Sequence, residues 1–150
     1  MTIEIRRAVA EDVAAVTDCV CHAFIHYIPR IGKQPGPMLD DYQALIGEGA
    51  VCVAVQQADV LGVPVLSETD EGFCIETIAV RPNAQGLGVG RKLLTHAEIL
   101  AQQSGHTSLY LSTHRLMYES QSVYAHIGYV EFDRRVVKGY DRIFVRKQLF

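Results

Sequence analysis

The chain has 150 residues, which is enough for one substantial hydrophobic core and too few for two ordinary ones. Hydrophobic residues make up 49% of it and charged residues 21%, a composition that excludes a disordered or low-complexity protein. The start MTIEIRRAV is too charged for a signal peptide, and no apolar run approaches the roughly 20 residues that span a bilayer. We therefore expect a single cytoplasmic domain over residues 1–150 with no membrane partner.

The net charge of −3 is unevenly distributed. Residues 1–75 hold 4 Lys/Arg and 11 Asp/Glu, whereas residues 76–150 hold 10 and 6. The C-terminal half therefore suits an anionic ligand and the N-terminal half a cationic one. Because the basic residues near the C-terminus alternate along expected strands and the chain is acidic overall, a nucleic-acid partner is not expected.

The four cysteines follow no CxxC pattern, and each lies among aliphatic residues, as a reduced thiol in a core does. They are Cys19, Cys21, Cys52 and Cys74. We expect neither a disulfide framework nor a metal site from them.

The N-terminal elements begin with an opening strand over residues 3–9. Residues 11–28 carry apolar side chains at three- and four-residue spacing and predict an amphipathic helix. The stretch PRIGKQPGP (29–37) is expected to end this helix, and a short helical piece is expected over 38–47.

Three β-branched runs then predict consecutive strands over 51–55, 60–66 and 73–80. Pro64 indicates that its strand lies at a sheet edge or carries a bulge. Further elements follow: a helix over 91–105, a strand over 108–113, a short helix over 119–127, and two closing strands over 129–137 and 142–149. The order predicts a mixed α+β fold with a mostly antiparallel sheet.

A glycine-rich loop, NAQGLGVGRK (83–92), lies between a strand and the long helix. It is not the dinucleotide motif, because Arg91 stands where the third glycine is needed. It is not a P-loop either, because Leu93 replaces the Ser or Thr that binds magnesium. What remains is a run of main-chain N–H groups at a helix N-terminus, which is typical of a pyrophosphate site.

The segment IAVRPNAQGLGVGRKLL resembles the signature of the GNAT superfamily of acyl-CoA-dependent N-acyltransferases. Its pattern Q/R-x-x-G-x-G/A is met by Gln85, Gly88 and Gly90. Farther on, VYAHIGYVEF is similar to the family's YxxxGF segment, with Tyr124 at its first position. The resemblance implies a GNAT-like fold: a twisted sheet of about seven strands, about four flanking helices, and a splayed parallel strand pair that holds the cofactor.

The resemblance further implies acetyl-CoA as co-substrate and no metal. The loop would bind the pyrophosphate and the strand before it the pantetheine arm. Ser120 stands where many relatives carry an asparagine that contacts the cofactor, and it could keep this contact or cap its helix. The implied cofactor-binding residues are Ile78, Ala79, Val80, Gln85, Gly86, Leu87, Gly88, Val89, Gly90, Arg91 and Ser120.

Acetylation of a protonated amine requires a base. Glu76 is the candidate, because alternation places it on one strand face with Cys74 and Ile78, where apolar neighbours are expected to desolvate it. By resemblance, Tyr124 is the candidate acid for the departing thiolate. The structural alternatives are a Glu76 paired with a basic group and a Tyr124 that packs in the core. Covalent catalysis through Cys74 is a weaker alternative, since no histidine lies near it in sequence.

His22 and His26 are spaced i, i+4, but Ala23 breaks the HExxH pattern. Together with Tyr27 they are expected to line or flank the acceptor cleft, or to lie on the surface. We predict transfer of an acetyl group to a primary amine of a small molecule or peptide by direct attack in a ternary complex. The alternatives are acetylation of a protein N-terminus or lysine, and a non-catalytic acyl-CoA-binding module. A homodimer is left open.

Overall fold

The computed structural model describes residues 2–149. The α-helices are α1 (Val13–Phe24), α2 (Ile28–Ile31), α3 (Tyr42–Gly47), α4 (Val89–Gln103) and α5 (Tyr118–His126). The strands are β1 (Glu4–Arg7), β2 (Cys52–Gln56), β3 (Asp59–Thr69), β4 (Gly72–Val80), β5 (Ser108–His114), β6 (Val130–Val137) and β7 (Tyr140–Gln148). No helix within residues 2–149 is long and apolar enough to cross a membrane.

The seven strands form one mixed sheet in the order β1-β2-β3-β4-β5-β7-β6. Strands β4 and β5 pair in parallel over three register positions that end at Ile75↔Leu111. The pairs β1-β2, β2-β3, β5-β7 and β6-β7 are antiparallel. The expected fold class is therefore confirmed, including its parallel pair. Both parallel strands continue beyond their last paired position, β4 to Val80 and β5 to His114.

The chain divides into two compact units. The first comprises Met1–Leu66 and Thr77–Ala97, and the second comprises Ser67–Glu76 and Glu98–Phe150. In the first unit, α1 and α3 bury Val16, Val20 and Ile46 in a cluster that also contains side chains of β2 and β3. The single domain expected from the length remains a prediction.

The first predicted helix continues farther than expected. The expectation that the stretch PRIGKQPGP (29–37) ends it is confirmed, because the last helical turn closes at Ile31. Pro29 itself is accommodated in the first turn of α2, where a main-chain N–H would have no acceptor within the helix. Gly32 ends the helix, with φ of 89° and its N–H donating to the Ile28 carbonyl at 2.8 Å.

Of the two alternatives for the strand of Pro64, the structure excludes the edge, since β3 is third in the sheet and Pro64 is fully buried. It agrees with the bulge, because the β2-β3 ladder is irregular. Its register shifts between Ala54 and Val55, and within the described chain only a single bridge, Val51↔Val65, lies beside Pro64. An interior proline is tolerated here because the local ladder makes no use of its missing N–H.

Candidate functional site

The glycine loop joins β4 to α4 through a short 3-10 turn at Pro82–Ala84. Gly86 and Gly88 adopt φ of 87° and 80°, in the left-handed region that favours glycine. A Cβ added at either position meets no heavy atom of the described residues within 4 Å. Backbone conformation rather than crowding therefore requires these glycines, and the main chain of the loop is open to a ligand.

The N-terminus of α4 is held in place by its apolar side chains. Val89 and Leu93 are completely buried in a cluster with Leu61 and Ala84. The first N–H groups of an α-helix have no acceptor inside the helix, so they and the helix dipole favour an anion. This local geometry fits the expected pyrophosphate, with fixed donors beside an exposed glycine loop.

Arg81 anchors the start of the loop, a role that sequence reasoning missed. Its main-chain N–H donates to Leu61 O at 2.9 Å, and its Nε donates to Val60 O at 2.6 Å. Its Nη1 donates to Asp18 Oδ2 on α1 at 2.7 Å, which lowers the pKa of Asp18. Its Nη2 donates to Ala15 O at 3.3 Å. The Arg-Pro turn was visible in the sequence, but the four partners are distant along the chain, Asp18 by 63 positions, and only the fold brings them together.

The end of β4 uses its side chains for packing. Ile78 and Val80 are half-buried against the cluster that contains Leu61 and Leu93, and Ala79 is buried in the other cluster of the first unit. Any recognition of a ligand by Ile78, Ala79 and Val80 would therefore come from their main-chain groups, as the resemblance implies.

Glu76 is exposed, so the expectation that apolar neighbours desolvate it is wrong. Its Oε1 accepts a hydrogen bond from Ser67 Oγ at 2.7 Å. Among residues 2–149, no basic side chain forms an ion pair with it. A polar neighbour on β3 and solvent surround the carboxylate, and no pattern within β4 alone could have revealed either. The arrangement leaves Glu76 reachable by a cationic ligand.

Cys74 lies two residues before Glu76 and is buried. Burial, and then the negative charge of Glu76, raise the pKa of the Cys74 thiol to about 12. Tyr110 belongs to the same buried cluster as Cys74, and its hydroxyl lies 2.6 Å from Thr69 Oγ1. A thiol in this environment stays protonated at neutral pH, which argues against covalent catalysis through Cys74.

Tyr124 is half-buried on α5, and its ring packs edge-on against Tyr129 with centroids 5.6 Å apart. Tyr129 is only 3% exposed, and its hydroxyl has no hydrogen-bond partner within the described part of the chain. Burial raises the pKa of Tyr129. Of the two phenols, Tyr124 is the more accessible one and thus the better placed to exchange a proton with a ligand.

Ser120 lies inside the first turn of α5, whose N-cap residue is Met117, so the expectation that Ser120 caps this helix is wrong. The side chain of Ser120 is half-buried.

The three candidate acceptor residues lie in the first unit and differ in exposure. His22 and His26 are exposed, whereas Tyr27 is buried. The Nδ1 atom of His22 lies 2.9 Å from Asp18 O, within its own helix. The ring of His26 stacks on Tyr27 with centroids 4.0 Å apart. The histidines can meet a ligand at the surface, and Tyr27 supports them from the core.

Comparisons with known proteins agree with this geometry. The sequence model of the acetyltransferase (GNAT) domain matches residues 47–131, more than half of the chain. No curated protein matches the sequence.

Three solved structures illustrate the similarity of fold. A GCN5-related N-acetyltransferase from Rhodopseudomonas palustris has a TM-score of 0.81 at 20% identity, covering 99% of this chain and 97% of its own. PaiA N-acetyltransferase from Thermoplasma acidophilum, solved with coenzyme A, has a TM-score of 0.78 at 17% identity, and 99% of each chain is covered. YncA from Salmonella typhimurium, solved with acetyl-CoA, has a TM-score of 0.73 at 20% identity, covering 100% of this chain and 95% of its own.

The glycine loop and the parallel pair β4-β5 agree with the domain match. The chain belongs to the GNAT acetyltransferase family.

Proposed function

We propose that the protein transfers an acetyl group from acetyl-CoA to a primary amine of a small molecule or peptide. The observation that carries this proposal is the loop after β4, where two left-handed glycines and the buried anchors of α4 leave main-chain donors open to a ligand. The presence of coenzyme A in the PaiA structure and of acetyl-CoA in the YncA structure supports this choice of donor.

The residues present fit this donor. The N–H groups of Gln85 and Leu87 donate to Pro82 O and Ala84 O inside the turn, so the remaining N–H groups as far as Arg91 bind the pyrophosphate. The main chain of Ile78–Val80 binds the pantetheine arm. Ser120 offers a hydroxyl at the position that contacts the cofactor in relatives. Arg91 and Lys92 are exposed and add positive charge beside the pyrophosphate. When bound, acetyl-CoA supplies a thioester whose carbonyl carbon is attacked.

Glu76 acts as the base. The acceptor arrives as an ammonium, and Glu76 takes its proton directly or through one water, which leaves a lone pair on nitrogen. The exposure of Glu76 and its hydrogen bond from Ser67 support this role, because the carboxylate is held in one orientation yet open to a ligand.

Tyr124 acts as the acid. The amine nitrogen bonds to the carbonyl carbon, the carbon–sulfur bond breaks, and the phenol of Tyr124 protonates the departing thiolate. The nitrogen loses its second proton to solvent to give the neutral amide, and the phenolate of Tyr124 regains a proton from solvent. The protonated state of Cys74 supports direct attack by the amine in a ternary complex, because it removes the nearby candidate for a covalent carrier.

The test is release of coenzyme A thiol from acetyl-CoA in the presence of a panel of amines. We expect release that depends on both the protein and an amine, with the acetylated amine identified by mass spectrometry. Acetyl-CoA binding without turnover on any small amine or peptide would contradict the proposal and indicate a non-catalytic acyl-CoA-binding module. Turnover restricted to folded protein substrates would indicate the protein-acetylating alternative.

A further inference from the structure

Several polar side chains share one face of the sheet in the second unit. Cys74, Tyr110 and Phe144 form a buried cluster there. Alternation along each strand places the next members two residues away. We call this surface the Glu76 face and define it by Cys74, Glu76, Tyr110, Ser112, Arg142 and Phe144.

Two other arginines, Arg135 and Arg146, lie next to the residues that define this face, and both form hydrogen bonds within the second unit. Arg135 binds both carboxylate oxygens of Glu71, at 2.9 and 2.7 Å, and also binds Asp133. Arg146 donates to Ser108 Oγ and to the main-chain O of Glu71, at 2.9 Å each. Their donors serve to hold the strands of the second unit together.

Arg142 differs from both of these arginines. It is half-buried, and its Nη1 donates to Ser112 Oγ at 3.2 Å. Its guanidinium also lies 5.6 Å from the centre of the Tyr140 ring. Within residues 2–149 it has no carboxylate partner, and Nη2 and Nε have no acceptor. A guanidinium carries five donors in a fixed fork, so most of the donors of Arg142 are available to an anion.

The register brings this cation close to Glu76. Strands β4 and β5 are paired as far as Ile75↔Leu111, so Glu76 and Ser112 are the next residues on their strands and lie on the same face. The Arg142 guanidinium, which contacts Ser112, and the Glu76 carboxylate therefore belong to neighbouring strands at the point where the parallel pairing ends. A short molecule can reach both groups.

We propose that the acceptor is a small amine that also carries a carboxylate, such as an amino acid, with its carboxylate bound by Arg142 and its amine held at Glu76. The inference rests on the proposed function and narrows its substrate class. Arginine and carboxylate form paired, charge-assisted hydrogen bonds that a neutral group cannot replace. A simple alkylamine would make the contact with Glu76 and lack the contact with Arg142.

The test uses pairs of acceptors that differ only by the carboxylate: β-alanine with ethylamine, 4-aminobutanoate with propylamine, and lysine with cadaverine. For at least one pair we expect kcat/KM to favour the carboxylate-bearing member by about 10- to 100-fold, the size of an ionic hydrogen bond. Arg142→Gln should abolish this preference and leave the KM for acetyl-CoA unchanged.

The matched control is Arg134→Gln. Arg134 is an exposed arginine on β6 that pairs with Glu131 at 2.7 Å, so its loss changes the charge equally without touching Arg142. The Arg134→Gln variant should retain the preference for the carboxylate-bearing acceptor. Equal kcat/KM for both members of every pair, or a preference that survives Arg142→Gln, would overturn the inference while leaving the acetyltransferase proposal intact.

A second measurement tests the role of Arg142 independently of acetyl transfer, in case no acceptor is acetylated. Calorimetric titration of the same amino carboxylates into the protein with coenzyme A present should show binding to the wild type that weakens at least about tenfold in Arg142→Gln. Absent binding, or binding equal in both proteins, would overturn the assignment of Arg142 independently of turnover.

Discussion

The loop after β4 and the Glu76 face offer different kinds of contact to a ligand. The loop presents main-chain donors whose positions depend on the conformations of Gly86 and Gly88. The Glu76 face presents a carboxylate and a guanidinium whose surroundings depend on neighbouring strands. A main-chain site changes little when other residues change, whereas each substitution on a sheet face changes the chemistry it offers. We therefore expect substitutions on the face to change the choice of acceptor and substitutions around the loop to change binding of the donor.

The largest effect is expected at the base. Glu76→Gln keeps the size of the side chain and an oxygen that can accept from Ser67 Oγ, but it cannot take a proton. We expect kcat to fall by about 10²- to 10⁴-fold while the dissociation constant for acetyl-CoA stays within about twofold. Steady-state kinetics and calorimetry check both quantities. A wild-type kcat in Glu76→Gln would show that Glu76 is not the base, and it would contradict the assignment of the Glu76 face to the acceptor.

Tyr124→Phe should lower kcat by about 10- to 100-fold, because the leaving thiolate must then take its proton from water. The matched control is Tyr129→Phe, which removes the buried hydroxyl that has no partner among the described residues. The control should leave kcat within about twofold and should not lower the melting temperature, since no hydrogen bond is lost. An equal loss of kcat in Tyr124→Phe and Tyr129→Phe would indicate that the two tyrosines act only by packing.

Arg81→Lys tests whether the loop depends on its anchor. Lysine retains the charge but cannot donate to Val60 O and Asp18 Oδ2 in the same planar geometry. We expect the KM for acetyl-CoA to rise by about tenfold, with a smaller effect on kcat and no effect on acceptor preference. Arg115→Lys, at an exposed pair with Asp141, is the control and should leave the KM unchanged. A changed acceptor preference in Arg81→Lys would contradict the separation of the two regions.

The smallest effect is expected at Cys74. A thiol with a pKa of about 12 is ionised to only about one part in 10⁴ at pH 8, so iodoacetamide should modify Cys74 far more slowly in the native protein than in the denatured one. Cys74→Ala should keep kcat within about threefold, measured where the variant is fully folded. Loss of nearly all activity together with an acetylated wild-type thiol would reinstate the covalent route.

The loop could be predicted from sequence because left-handed φ values are a property of the glycines themselves. The closing hairpin at Lys138 and Gly139 was predictable for the same local reason, and both residues have positive φ. Long-range contacts were not predictable. The hydrogen bond to Glu76 comes from Ser67 on β3, and the four hydrogen bonds of Arg81 join it to α1 and β3. The register places Arg142 opposite His114, and the contact of its side chain with Ser112 became visible only in the fold.

The most direct test of the central claim is calorimetric titration of acetyl-CoA into Gly88→Val and Gly105→Val proteins. Both glycines have left-handed φ, of 80° and 87°, and a Cβ added at either one meets no described heavy atom within 4 Å, so the backbone strain introduced is closely matched. We expect Gly88→Val to weaken acetyl-CoA binding by at least about 100-fold and Gly105→Val, at the end of α4, to leave it unchanged. Equal affinity in both variants would contradict the assignment of the loop as the donor site.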